Sequence, residues 1–276
     1  MLTIIRGAGD LATGVIFSLY KSGFKLLVLE TTKPSAIRRT VAFSECIYCK
    51  EKNIEEVKAK KVKNLKEIET CWEKKEIPII VDEKGDWIHK LKPDIVIDAI
   101  IAKKNLGTQK NMAPITIALG PGFVAGKDVD LVIETMRGHN LGKIILTGQA
   151  ESNTGVPGEI AGVSKERVVY AETSGVFKEL KRIGDIVKKG EVIGIIDETP
   201  IHSTIDGLLR GIIRSGYKVK KGLKIADIDP RLNQYENCFT ISDKARTLGG
   251  AVLEGVLTKI MEKGEVNGLK YFGENI

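Results

Sequence analysis

Along the first hundred residues, two spacings of apolar positions alternate. Residues 2–5, 26–30, 77–81 and 94–100 are short runs apolar on both faces, which reads as buried strands. Between them, residues 11–21, 65–75 and 87–91 carry apolar positions at helical spacing. Further strands are expected at 115–119, 131–134 and 143–146. Strands separated by helices predict an α/β fold built on a Rossmann-like doubly wound parallel sheet, extending to about residue 165.

The texture then changes. From 168 to 230 the strands are short, glycine recurs and no helical period is present. Shifting residues 175–197 by 32 positions lays them on 207–229 with ten identities, among them Gly184/Gly216, Val187/Val219, Lys188/Lys220, Lys189/Lys221 and Gly190/Gly222. Each copy reads strand, G-x-x-V-K-K-G turn, strand. Two such copies resemble the barrel-sandwich hybrid of lipoyl and biotinyl domains, so a small all-β module is expected over 166–230. The stretch joining the copies, 191–209, holds no lysine to carry a swinging cofactor, which leaves a structural, docking or lid role. A C-terminal amphipathic helix is expected within 231–276, capped by Ser242 or Asp243 and packed on the first domain through Leu248, Val252, Leu253, Val256 and Leu257.

The first strand runs straight into Arg6-Gly7-Ala8-Gly9-Asp10-Leu11-Ala12-Thr13-Gly14. Gly7, Gly9 and Ala12 match G-x-G-x-x-G/A: a tight turn, an open approach for a phosphate to backbone N–H groups, and a small residue for close helix packing. The following helix adds partial positive charge at its N-terminus. Glu30 ends the next strand, 21 residues beyond Gly9, where a ribose hydroxyl finds its acidic partner. Asp10 inside the turn opposes a pyrophosphate unless it caps the helix. Candidate cofactor-binding residues are therefore Gly7, Gly9, Asp10, Ala12, Thr13, Gly14 and Glu30.

Ligands of open α/β sheets bind beyond the carboxyl ends of the strands. Three polar loops fall there: 102–108 with Lys103 and Asn105, 120–127 with Gly120 and Gly122, and 135–142 with Arg137, His139 and Asn140. Together they offer cations, amides and backbone donors to an anionic ligand. His139 is the candidate acid–base residue, with a hydrogen-bonding loop histidine as the alternative. Cys46 and Cys49 form a C-x-x-C pair, but no second pair supplies a zinc set, and the reading is of incidental loop cysteines with no metal site.

Composition narrows the classes. The 276 residues suit two domains, and 42% hydrophobic content supports real cores. The net charge of +7 gathers partly at Lys58, Lys60, Lys61 and Lys63, a pattern of solvated faces; with 5% aromatics there is no stacking platform for nucleic acid. No apolar run spans a bilayer, and residues 1–10 turn polar too early for a signal peptide, so neither membrane nor secretion is expected. Four cysteines without a disulfide framework fit the cytoplasm.

In order, the RGAGDLATG run (6–14), Ala36-Ile37-Arg38-Arg39-Thr40-Val41, the GPGF segment, IETMRGHNLG (133–142), the duplicated module and ISDKARTLGGAVL (241–253) resemble the YqeB-type maturation proteins of selenium-dependent molybdenum hydroxylases. The first domain is similar, more distantly, to XdhC-type cofactor-insertion factors. The resemblance implies a cytoplasmic accessory protein with a molybdenum hydroxylase as client, a molybdopterin-type phosphorylated cofactor as ligand, and an oligomeric state left open. Two other readings stand beside it. One is an NAD(P)-dependent oxidoreductase, with Glu30 suiting NAD and Arg38 and Arg39 within reach of a 2′-phosphate. The other is an interaction module in which the glycine turn is empty.

Overall fold

The computed structural model describes residues 1–153, 155 and 158–263. In its first unit, β1 (Leu2–Arg6), α1 (Asp10–Lys21) and β2 (Lys25–Glu30) are followed by a one-turn α2 (Cys46–Cys49) and by β3 (Glu51–Ile54) and β4 (Val57–Val62). Then come α3 (Leu65–Glu73), β5 (Ile77–Val81), α4 (Asp86–Leu91), β6 (Ile95–Asp98), β7 (Ile115–Leu119), β8 (Leu131–Ile133) and β9 (Ile144–Ile145). The strands form one sheet in the order β3-β4-β5-β2-β1-β6-β7-β8-β9. β1 lies at its centre, paired in parallel with β2 and β6.

This corrects the expected doubly wound parallel sheet. The sheet is mixed: the β3–β4 hairpin adds an antiparallel strand at one edge, and β9 runs antiparallel to β8 at the other. No α-helix joins β6 to β7 or β7 to β8. The sheet there is covered by α5 (Asp243–Glu262), delivered from the far end of the chain. The hairpin escapes a reading by apolar runs because β3 has one buried residue, Ile54, and β4 interleaves buried Val57, Ala59 and Val62 with Lys58, Lys60 and Lys61. Cys46 and Cys49 lie not in a loop but on the one-turn α2, with Cys46 buried against the Ala59 carbonyl and Cys49 exposed.

The second unit contains β10 (Val168–Tyr170), β11 (Gly175–Glu179), β12 (Ile186–Val187), β13 (Val192–Ile196), β14 (Thr199–His202), β15 (Gly207–Ile212), β16 (Lys218–Val219) and β17 (Lys224–Asp229). Each copy of the repeat lends its short middle strand to the other: β12 pairs with β15, and β16 with β11. The expected two-copy barrel-sandwich hybrid is corrected in turn. There are two four-stranded sheets, β10-β17-β15-β12 and β14-β13-β11-β16, and their edge strands β10 and β14 lie outside the repeat. In both G-x-x-V-K-K-G turns the glycines adopt positive φ, 101° and 82° at Gly184 and Gly190 and 84° and 83° at Gly216 and Gly222. Val187 and Val219 are buried in the module's core.

Ser242 caps α5 by accepting from the Ala245 N–H at 3.2 Å. The helix crosses α1 at very short range, and two glycines permit it. A Cβ on Gly14 would lie 2.1 Å from the Ala245 carbonyl oxygen, and one on Gly249 would lie 2.4 Å from that of Gly14. Gly14→Ala is therefore expected to force the helices apart and cost about 1–3 kcal/mol, visible as a lowered Tm in circular dichroism melts. An unchanged Tm would mean that the crossing is not rigid. Residues 264–276, the end of the expected C-terminal segment, lie outside the described residues. No helix among the described residues is long and apolar enough to cross a membrane.

Candidate functional site

The turn after β1 is shaped by two glycines acting differently. Gly7 has φ 95°, and a Cβ there would meet Ile100 Cα at 2.9 Å, so the backbone itself requires glycine. Gly9 has ordinary φ, and its Cβ would meet nothing within 4 Å. It faces a cavity of about 480 Å³ enclosed between the carboxyl edge of the large sheet and the second unit. Gly9 is the N-cap of α1 and has no side chain to satisfy the helix N–H groups. Asp10 does not cap the helix: its carboxylate accepts from Arg38 Nη1 at 3.0 Å to each oxygen.

Six cations line this cavity, Arg38, Arg137, Arg167, Arg210, Lys224 and Lys244, against the three carboxylates of Asp10, Glu30 and Asp227. Three of the six are tied by hydrogen bonds. Arg38 holds Asp10 and donates from Nη2 to the carbonyls of Asn237 (3.0 Å) and Thr240 (3.3 Å). Arg137 makes a bidentate pair with Asp243 at 2.9 and 3.2 Å and thereby holds that carboxyl down to about 2. Arg167 pairs with Asp227.

The other three are different. Lys224 and Arg210 approach Asp227 only at 3.6 and 3.8 Å, beyond hydrogen-bond range, and Lys244 makes no ion pair among the described residues. Burial holds all three below their ordinary pKa values. Neighbouring cations add to this: Arg167 and Arg210 at Lys224, Arg38 at Arg210, and Arg137 at Lys244. Partly buried cations thus crowd one another here, six against three lining carboxylates, with Arg210 and Lys224 sharing the Asp227 carboxylate that Arg167 already holds.

Glu30 reaches the cavity, but its carboxylate is already engaged. It accepts the N–H groups of Ala8 at 2.8 Å and Thr31 at 2.7 Å, and burial raises its pKa. It stabilises the turn rather than presenting a free acid. Beneath it lies a network that sequence reading did not isolate. Arg6 Nη1 donates to Thr108 Oγ1 at 2.5 Å, which donates to Asp98 Oδ2 at 2.5 Å; all three residues are buried.

Of the residues expected at the site, Gly7, Gly9, Asp10, Glu30 and Arg137 line the cavity. The others do not line it. Ala12 and Thr13 are buried in α1, where Thr13 Oγ1 donates to the Gly9 carbonyl and accepts the Phe43 N–H. Gly14 serves the α1–α5 crossing. Asn105 closes its own loop by accepting from the Gly107 and Thr108 N–H groups, both at 2.8 Å, and Lys103 is exposed. Gly120 and Gly122 let the three loops pack: a Cβ would meet Thr135 Oγ1 at 2.7 Å and Lys104 Cα at 2.5 Å. His139 is exposed outside the cavity, and Asn140 donates to Glu151 at 3.3 Å on another surface.

Arg167, Arg210, Lys224 and Lys244 were missed because three of them come from the second unit or the segment leading into it. A signal for two was present in the repeat. The first copy has Lys178 and Val192 where the second has Arg210 and Lys224. The second copy also has Gly211 in place of Glu179, and a Cβ at Gly211 would lie 3.1 Å from the Ile37 carbonyl. β15 thus docks on the Ile37–Arg38–Arg39 segment, with Ile212 N–H donating to Ile37 and Arg39 Nε to Ile212. This docking carries Arg210 to the glycine turn.

A larger cavity, about 1010 Å³, opens at the opposite, amino-terminal ends of β2 and β5. Its Trp72 Nε1 and Tyr20 hydroxyl already donate to backbone carbonyls, and no loop at the carboxyl edge of the sheet reaches it.

No family model matches the chain. It is 46% identical over 263 residues to the uncharacterized protein YqeB of Escherichia coli K12, a match covering 95% of this chain. The chain spans about half the length of that relative, 48%. Among solved structures it is similar to an aspartoacylase family protein from Mesorhizobium loti (10% identity, 83% of this chain and 85% of that one, TM-score 0.28). It is also similar to the apo ectoine utilization protein EutE of Ruegeria pomeroyi (10%, 82% and 85%, TM-score 0.26) and a succinylglutamate desuccinylase from Silicibacter (12%, 82% and 84%, TM-score 0.24). At such TM-scores they carry no argument about activity.

Proposed function

We propose, taking the likeness to YqeB as premise, that this chain holds an anionic phosphorylated cofactor, of molybdopterin or nucleotide type, in the cleft over its glycine turn. On the resemblance of its motifs, it serves in the cytoplasm as an accessory factor readying a selenium-dependent molybdenum hydroxylase. The observation that carries the ligand class is the excess of cations over carboxylates in the lining: Arg210 and Lys224 share one carboxylate, Asp227, with Arg167, and Lys244 makes no ion pair among the described residues. A phosphate ester fits what they lack: it supplies oxygens to the guanidinium and ammonium donors and to the uncapped N–H groups of α1. When bound, such a cofactor supplies the metal-binding chemistry; the chain's residues bind it, orient it and screen it between the two units. The NAD(P) oxidoreductase reading gains no observation, since Glu30 is engaged by two backbone amides and His139 lies outside the cavity.

Native mass spectrometry of protein purified from its own host is expected to show a phosphorylated small molecule. Gly9→Val tests the place. The added side chain enters open space, so Tm is expected to stay within a degree or two, while pyrophosphate affinity measured by calorimetry falls at least tenfold. Undiminished binding by the variant, or no phosphate compound bound by the wild type at millimolar concentration, sinks the reading.

A further inference from the structure

The cavity over the glycine turn is one lobe of a longer cleft. A second cavity of about 500 Å³ adjoins it and shares Arg137, Arg210 and Ser242 in its wall. Arg38 marks the waist from below: Nη1 holds Asp10 of the first lobe, and Nη2 holds the carbonyls of Asn237 and Thr240 of the second. The lobes differ in chemistry. The first is cationic: Lys224 shares Asp227 with Arg167 and Arg210, and Lys244 makes no ion pair among the described residues. The second carries the neutral donors and acceptors Gln234, Asn237 and Thr240 and the carboxylate of Glu159, while the shared Arg137 and its own Arg231 are matched by Asp243 and Asp229. Arg210 faces both lobes and makes no hydrogen bond among the described residues.

We infer that the ligand is a diphosphate diester carrying a polar head group on each side, with the diphosphate seated at the waist on Arg210. This rests on the phosphate-site reading above and narrows it. A monophosphate satisfies the first lobe alone and makes no use of the second. A diphosphate presents charged oxygens to Arg210, Lys224 and Lys244 together, and its second ester arm reaches Gln234 and Asn237; Asn237 Nδ2 donates to Gln234 Oε1 and Gln234 Nε2 to Asn233, which fixes the pair and leaves Asn237 Oδ1 to accept from a heterocycle or sugar. Guanidinium suits this place because its donors form a planar fork that engages two oxygens at once. The arm in the first lobe lies toward the end of β2.

Calorimetry on the full chain with orthophosphate, pyrophosphate, ADP and a panel of diesters (FAD, NAD⁺ and ADP-ribose) separates the possibilities. Pyrophosphate is expected to bind at least tenfold more tightly than orthophosphate, and at least one diester at least tenfold more tightly than pyrophosphate. Asn237→Leu and Gln234→Ala, each checked for an unchanged melt, are expected to lower the ratio of diester to pyrophosphate affinity about tenfold. Equal binding of orthophosphate and pyrophosphate, no diester gaining over pyrophosphate, or an unchanged ratio in both variants overturns the diphosphate assignment while leaving the phosphate site standing. Failure of every probe, pyrophosphate included, overturns the phosphate site itself.

Discussion

Replacing Arg210 and Lys224 together by glutamine is expected to weaken pyrophosphate binding by a factor of roughly 10²–10⁴ while leaving the unliganded protein at least as stable. Each charge-assisted hydrogen bond to a phosphate contributes about 1.5–3 kcal/mol, and each 1.4 kcal/mol is about tenfold in affinity. The stability arm has the opposite sign because these side chains are held below their ordinary pKa values by burial and by neighbouring arginines, so neutral amides relieve a cost. Asp227 keeps Arg167 as its partner in the variant. The same balance sets a pH dependence. Lys224 and Lys244 have folded pKa values below the unfolded value, so in the window between them the unfolded chain binds more protons and the stability of the unliganded protein rises with pH. Binding runs the other way. The anion needs both lysines protonated, so its affinity falls as pH rises through the depressed values and binding takes up protons. Calorimetry in buffers of differing ionisation enthalpy reads that uptake. A variant that loses stability and affinity in parallel would show that the cations are structural.

The second large effect is on the fold. Asp98→Ala is expected to cost about 3–5 kcal/mol, because it strands the Arg6 guanidinium, 2% exposed, without its carboxylate. Arg6 retains Thr108 and the carbonyls of Glu83 and Leu106, which satisfy donors but not charge. Burial already pushes the Asp98 carboxyl above its ordinary value, against the pull of Thr108 and Arg6, so the ionised pair is costly to hold. The double variant Arg6→Met/Asp98→Leu is accordingly expected to recover most of the loss, since apolar residues of similar volume replace buried pairs at little cost. Urea denaturation of the two variants decides it. If Asp98→Ala is neutral, water reaches Arg6 and the network is not closed.

What could be read without coordinates was whatever short-range sterics dictate. The β1–turn–α1–β2 unit follows from apolar runs and glycine spacing. The repeat follows from self-comparison, with its two turns held by glycine at positive φ and its two valines in the core. Edge elements were harder. β3 has one buried residue, Ile54, and β4 interleaves three lysines with Val57, Ala59 and Val62, a pattern that resembles a solvated loop. Gly14 shows a different limit. It follows the G-x-G-x-x-A match by two residues and was grouped with it as cofactor-binding, yet the atoms it makes room for belong to Ala245, more than two hundred positions away.

By itself, then, the sequence determined the glycine turn, the strand–helix unit around it and the duplicated module, because each depends on residues near one another in the chain. Only the tertiary structure decided the class of the sheet, which hangs on how edge strands pair and on a covering helix supplied from the far end. It alone decided the site as well. Arg137, Arg210, Lys224 and Lys244 come from separate segments, and whether each cation is paired or left without an acceptor depends on the carboxylates that folding brings beside it. Spacing along the chain carries no record of those distances.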